Sequence, residues 1–191
     1  MLSTKLIDYC IDETIDNCID EISKIIKREE NKLNRKKKKL YVLTATYIVL
    51  SILPYTLRGL LEVMGLLLLP KSTLINIYLT ILPIHILVTI HILFHNKMKL
   101  EVDNHKKVVE QYECSRKLLK RIKNQLKNIV KTSSDKGALT YIQNFISYNI
   151  NCYCIEIIDL GSPEVLKYKN NRLREAYERL LRDLKRLRRY P

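Results

Sequence analysis

Hydrophobic positions along the chain follow two different patterns. Four segments carry apolar residues at steps of three and four, the spacing of one face of a helix, and these predict amphipathic helices. Two further segments are apolar on all sides: residues 40–57 contain no charge, and residues 74–94 contain none apart from the titratable His85 and His91. These two predict helices without a polar face.

The four apolar stripes predict a helical bundle outside the apolar segments. The second stripe is expected to run on from residue 94 until TSSDKG at 132–137 breaks it, and the end of the third, NINCYCIEII, is compatible with a helix or a strand. Ser162 and Pro163 predict the N-cap and first position of the last helix. The stripes are Ile11, Ile15, Cys18, Ile22 and Ile25; Val108, Tyr112, Ser115, Leu119, Ile122, Leu126 and Ile129; Leu139, Ile142, Ile146, Ile150, Tyr153 and Ile157; Leu166, Asn170, Leu173, Tyr177, Leu180, Leu184 and Leu187.

The last stripe is a heptad seam with one polar residue, Asn170. Such a seam suits a coiled coil between chains or packing inside the bundle of one chain, and both remain open. The first helix is acidic and the C-terminal segments are basic, so these parts are expected to pack together as one bundle.

Length turns the two apolar segments into a membrane prediction. Eighteen helical residues extend about 27 Å, close to the roughly 30 Å of a bilayer core. The predicted fold is therefore an all-α membrane protein: a two-helix transmembrane hairpin, an N-terminal amphipathic helix and a C-terminal cytoplasmic helical bundle or coiled coil. The corresponding domains are 1–39, 40–96 with spans at 40–57 and 74–94, and 97–191.

Charge sets the expected orientation of that hairpin. The chain carries a formal net charge of +14, and a basic collar at residues 35–39 precedes the first apolar segment. Lys97, Lys99, Lys106 and Lys107 follow the second one. Because cations in short flanks stay inside, both termini are expected to be cytoplasmic, with the collar at anionic lipid headgroups.

Arg58 and Glu62 interrupt the apolar sequence after the first segment. In one interpretation Arg58 marks the outer end of the first span and residues 58–72 form a short interfacial helix. In the other, the first helix continues to residue 69 and places Arg58 and Glu62 on one face, lining a pore with Thr80, His85 and Thr89. Those polar groups are also compatible with bonds to helix backbones, and two spans alone cannot enclose a water path, so a channel requires an oligomer, here a tetramer.

Two rows of cations are candidate sites for a polyanion. Seven of the twelve arginines fall in the last 20 residues, and arginine binds phosphate in a bidentate manner. The alternative is a solvated face that leans on lipid and on the acidic first helix. The ligand-binding candidates for a nucleotide or short oligonucleotide are Arg116, Lys120, Lys123, Lys127, Arg172, Arg179, Arg182 and Arg186.

Other chemistry is not indicated. Five irregularly spaced cysteines argue against a disulfide framework, and Cys152 and Cys154 are expected to be two thiols in a reducing compartment. No phosphate loop, catalytic triad order or metal-ligand spacing is present, so we predict no enzymatic activity, cofactor or metal.

The order of an amphipathic helix, basic collar, two-span hairpin and long cytoplasmic helix over residues 10–130 resembles the SLATT family of bacterial two-transmembrane effectors. The resemblance implies an oligomeric channel in the bacterial inner membrane that a nucleotide signal gates during anti-phage defence. A Hailong-type member would respond to a short single-stranded product of a partner nucleotidyltransferase. The alternatives are a non-conducting membrane anchor or scaffold with a nucleic-acid or partner-binding module, and a holin-like lysis protein.

Overall fold

The computed structural model describes residues 4–63, 71–133, 135–158 and 160–187. Within its helices, the side chains at 53–55, 57, 58, 61, 62, 71–82, 84 and 85 are not described. The described residues form five α-helices and one π-helical turn. The all-α prediction is therefore confirmed for this part of the chain.

Two very long helices make up most of the chain. Helix α1 spans Thr4–Val63 and helix α2 spans Lys71–Thr132. Residues 4–53 contain neither glycine nor proline, and Pro83 is the last such residue before α2 ends. Because nothing in these stretches breaks the helix, the acidic segment, the basic collar and the first apolar segment are one continuous helix.

The C-terminal part folds into a shorter helical hairpin. Helix α3 (Lys136–Asn144) leads into a π-helical turn (Phe145–Ile150) and helix α4 (Asn151–Ile157), and helix α5 covers Pro163–Leu187. The carboxylate of Asp135 accepts the Gly137 amide at 2.9 Å and starts α3. Ser162 Oγ accepts the Val165 amide at 3.4 Å, so the predicted cap of the last helix is confirmed, and the strand alternative for the preceding segment is wrong.

The chain divides into two compact units, each containing part of α1 and part of α2. Unit 1 consists of Met1–Asn31 and His105–Pro191, and unit 2 consists of Lys32–Asn104.

Unit 1 has a single hydrophobic core. Twenty-eight of its described residues are buried in one cluster, with contributions from every helix of the unit. All four predicted stripes point into this core, with only Ile129 and Leu187 at its margin. The heptad seam of α5 is therefore filled by neighbours within the same chain.

A disulfide joins Cys18 of α1 to Cys154 of α4, whereas Cys10, Cys114 and Cys152 are free. The expectation that Cys154 is a thiol is therefore wrong. The two partners lie 136 residues apart in sequence, and only the packing of α4 against α1 brings them together.

Unit 2 places polar groups between its two helices. His91 Nε2 donates to the Leu43 carbonyl at 2.7 Å, and His95 Nε2 lies 3.0 Å from Thr44 Oγ. Tyr47 stacks against both imidazoles, with ring centroids 6.2 and 6.3 Å apart. Near the chain ends of unit 2, Lys36 of α1 pairs with Glu101 of α2 at 2.9 Å.

No helix formed by the described residues combines the length and the apolarity that crossing a membrane needs. The predicted transmembrane hairpin, with spans at 40–57 and 74–94, is therefore wrong. The prediction used absence of charge as its criterion, but hydroxyl, phenol and imidazole groups occupy the same stretches, among them Thr44, Tyr47 and His91. Both stretches also continue without a break into strongly charged helix.

Candidate nucleotide-binding groove

The predicted row of cations on α2 is partly used inside the fold. Lys123 lies 2.8 Å from Asp12 and 2.6 Å from Asp16, and Lys127 lies 2.6 Å from Asp12. These lysines therefore lean on the acidic helix, as the alternative interpretation expected. Arg116 is half-buried and Lys120 is exposed, and neither forms an ion pair with another described residue.

The ion pairs affect how both partners titrate. Hydrogen bonds from Lys123 and then Lys127 hold the pKa of Asp12 below its ordinary value. Burial alone would lower the pKa of Lys123, but its hydrogen bonds to Asp12 and Asp16 outweigh burial and raise it. Asp12 and Asp16 are therefore the partners of the Lys123 and Lys127 ammonium groups, which leaves little of this charge for a ligand.

The predicted cations on α5 divide into two groups. Arg172 and Arg179 line a groove of about 620 Å³ between α5 and the wall formed by the π-helical turn and α4. Arg182 and Arg186 are exposed on the same helix but do not line the groove. The complete lining is Tyr148, Asn149, Cys152, Tyr153, Glu156, Tyr168, Lys169, Asn171, Arg172, Leu173, Glu175, Ala176 and Arg179.

Helical spacing places chemically distinct groups on each wall. On α5, Tyr168, Arg172 and Arg179 follow one another at steps of four and seven, so they lie along one side of the helix. Arg172 and Arg179 are two turns apart, about 10.5 Å along the axis. On α5, Tyr168 is 59% exposed. The opposite wall presents Tyr148, which is 77% exposed.

The groove contains more cations than carboxylates. Lys169 pairs with Glu156 at 2.6 Å, and Arg179 lies 3.9 Å from Glu175 at the exposed i, i+4 position. Exposed pairs of the second kind contribute only a few tenths of a kcal/mol, so an incoming anion readily replaces Glu175 as the partner of Arg179. Among the described residues, Arg172 has no ion-pair partner at all.

A buried polar network holds the two walls together beneath the groove. Tyr153, which forms part of the floor, donates to Asn170 Oδ1, and Asn170 Nδ2 donates to the Gln111 carbonyl at 3.3 Å. Ser115 Oγ lies 2.8 Å from the same Asn170 oxygen. Burial raises the pKa of Tyr153 to about 12, so its hydroxyl remains a donor at neutral pH. The polar position in the predicted seam therefore fixes α4, α5 and α2 to one another.

Part of the groove comes from a feature that the sequence does not reveal. The π-helical turn inserts an extra residue into the helical repeat and sets the direction of Tyr148 and Asn149. Such turns occur frequently at functional sites. Tyr148 and Tyr168 were absent from the predicted site, since single exposed tyrosines outside a seam carry no periodic signal; their exposure is the signal that locates them.

Most of the predicted pore-lining side chains lie outside the part of the chain that the structure describes. Arg58 and Glu62 lie in α1, and Thr80 and His85 lie in α2, but the side chains of all four are outside the described residues. Thr89 is exposed on α2. In the described part of the chain, no cluster of three or more potential metal ligands occurs.

Comparisons of the chain with protein-family models, with curated proteins and with solved structures found no match. The resemblance to the SLATT family therefore stays a prediction.

Proposed function

We propose that unit 1 is a binding module whose groove takes a nucleotide or a short single-stranded oligonucleotide. The observation that carries the proposal is the presence of two exposed tyrosines and two accessible arginines, Arg172 and Arg179, in one groove. It corresponds to the binding-module interpretation of the sequence. The channel interpretation requires two membrane spans, and no helix of the described residues is long and apolar enough for one.

Each kind of residue in the groove suits one part of such a ligand. Phosphate oxygens accept bidentate hydrogen bonds from a guanidinium. Arg172 and Arg179 are separated by about 10.5 Å along the helix axis, which is about two nucleotide steps of an extended strand. The rings of Tyr148 and Tyr168 offer flat apolar surfaces on which bases stack. A groove that only attracted anions would not need the aromatic side chains.

The interior of unit 1 supports the same function. The tyrosine and arginine walls belong to different helices, and the network around Asn170 prevents those helices from sliding against each other. The groove is therefore formed before the ligand arrives, which lowers the entropy cost of binding.

Fluorescence anisotropy with a labelled single-stranded hexanucleotide tests the proposal. Arg172→Gln and Arg179→Gln should each weaken binding about tenfold, the scale of a lost charged hydrogen bond. Each lost phosphate contact should also reduce the slope of log K against log salt by about 0.7. The matched control is Arg174→Gln, because Arg174 is exposed on α5 but does not line the groove.

Tyrosine variants separate base recognition from attraction of charge. Tyr148→Ala and Tyr168→Ala should each cost about 1–3 kcal/mol of binding, whereas Tyr→Phe at either position should retain most of the affinity. The proposal fails if Arg172→Gln and Arg174→Gln weaken binding equally, since the charge of α5 would then act without a defined site.

A further inference from the structure

Unit 2 exposes its apolar side chains, the reverse of unit 1. Among its described large apolar residues, Leu33 and Val102 are buried, whereas fourteen are exposed. Val49 is 65% and Ile52 is 53% exposed, and Val63 reaches 88%. Single exposed apolar residues are normal in soluble proteins, but a group this numerous on one part of the chain indicates an interaction surface.

Several polar side chains of the same region form their hydrogen bonds within the protein. Thr44, Thr46 and Ser51 donate to the backbone carbonyls four residues earlier, at 2.8–2.9 Å. Since the Thr44 proton goes to the Leu40 carbonyl, the 3.0 Å contact requires His95 Nε2 to donate to Thr44 Oγ. Self-contained hydrogen bonding of this kind is what surroundings without water demand.

Charge and aromatic residues border the apolar surface at one end. The lysines at 36–39 directly precede the exposed Tyr41 and Val42 on α1, and Lys97 and Lys99 follow Phe94 on α2. The apolar and basic surfaces therefore adjoin on both helices. Lysines attract anionic headgroups, and tyrosine is favoured at the boundary between headgroups and acyl chains.

We infer that the exposed apolar face of unit 2 contacts the acyl region of an anionic lipid bilayer while lysines 37–39, Lys97 and Lys99 bind its headgroups. The inference concerns lipid contact by the outer faces of both helices. A second copy of the chain would also cover apolar surface, but the apolar face of that copy is itself bordered by lysines and offers no anionic partner for the first set. Charge complementarity therefore favours lipid.

Flotation of the full-length protein with vesicles tests the inference. Vesicles of phosphatidylcholine with 30% phosphatidylglycerol should carry the protein upward in a density gradient, and pure phosphatidylcholine should carry roughly a hundredfold less at matched lipid concentration. Changing lysines 37–39 to glutamine should cause a similar loss and leaves the Lys36–Glu101 pair intact. The charge-matched control changes the exposed Lys5, Lys117 and Lys136 of unit 1 to glutamine and should float like the wild type.

Apolar contact is tested at 1 M NaCl, where headgroup attraction is screened. Wild-type protein already bound should remain on the vesicles, whereas Val49→Asp with Ile52→Asp should be released. Val49 and Ile52 are exposed, so the change spares the described packing. The control is Leu6→Asp with Ile155→Asp, which changes two exposed apolar residues of unit 1 and should stay bound like the wild type. The inference is overturned if the wild type stays at the bottom of the gradient, if salt alone removes it, or if it forms oligomers through unit 2 that ignore vesicles.

Discussion

Unit 1 and unit 2 are built from the same two long helices, yet they distribute polar and apolar side chains in opposite ways. In unit 1, isoleucine and leucine fill the interior, and charged groups such as Asp12 and Lys123 pair at its surface. In unit 2, histidine and threonine meet between the helices, and valine, isoleucine and phenylalanine point outward. Unit 1 therefore presents a polar surface to its surroundings, and unit 2 presents an apolar one.

The difference also shows where ligand chemistry is available. Unit 1 is tightly organised inside and offers a groove with cations and tyrosines on its surface. Unit 2 offers a broad apolar face bordered by lysines. The two proposals follow this division: nucleotide recognition is proposed for the first unit and lipid contact for the second.

The largest expected effect is on the free energy of unfolding, and it differs between the two units. Leu119→Ala in unit 1 removes a fully buried side chain and should lower the free energy of unfolding by about 2–5 kcal/mol. Leu93→Ala in unit 2 removes one that is 66% exposed and should change it by less than about 0.5 kcal/mol. Urea unfolding followed by circular dichroism measures both. Equal losses would contradict the contrast between a filled interior and an outward-facing apolar surface.

A smaller effect is expected from the network beneath the groove. Asn170→Ala removes the acceptor of the buried Tyr153 hydroxyl, whereas Ser115 Oγ keeps the Gln111 carbonyl at 3.0 Å, and the change should cost about 1–3 kcal/mol of stability. The adjacent exposed Asn171→Ala provides the control for stability. If oligonucleotide affinity falls in Asn170→Ala while the protein is still folded, the network positions the groove walls; an unchanged affinity would mean that the walls hold their places without it.

The smallest effect concerns the ion pairs of unit 1. Because the folded pKa of Asp12 lies below 3.8, its pairing with Lys123 and Lys127 stabilises the fold fully above that pH. The contribution is lost as the pH falls through the lowered pKa. Asp12 is 41% exposed, so the expected contribution is only about 0.5 kcal/mol.

The pH dependence of this effect is measurable by comparing wild type with Asp12→Asn. The difference in unfolding free energy should be present at pH 7 and vanish at pH 2, whereas Glu13→Gln, an exposed neighbour, should show no such dependence. A difference that persists at pH 2 would point to packing and not to charge.

Sequence periodicity predicted most of the interior of unit 1, although buried residues such as Ile7, Ile26 and Phe145 lie outside the predicted stripes. The stripe from Val108 to Ile129 and the seam from Leu166 to Leu187 were predicted residue by residue, because burial on one side of a helix leaves a local repeat. The cap at Ser162 was predictable for the same reason, since its partner is three residues away.

Contacts between distant segments could not be predicted in this way. Nothing local shows that Lys123 faces Asp12 while Arg172 faces a groove, because both are cations beside an apolar stripe. The transmembrane prediction failed for another reason: it took a length of about 18 uncharged residues as sufficient for a span, although Thr44 and His91 bring polar groups between the helices.

The most direct test of the account locates the ligand on the protein. A hexanucleotide carrying 5-iodouracil is photo-crosslinked to the full-length protein, and the adducts are mapped by mass spectrometry. We predict adducts at Tyr148 or Tyr168, lost in Arg172→Gln with Arg179→Gln. Adducts confined to lysines 36–39 or to Arg116 and Lys120 on α2 would contradict the account, because the ligand would then follow basic charge and not the groove.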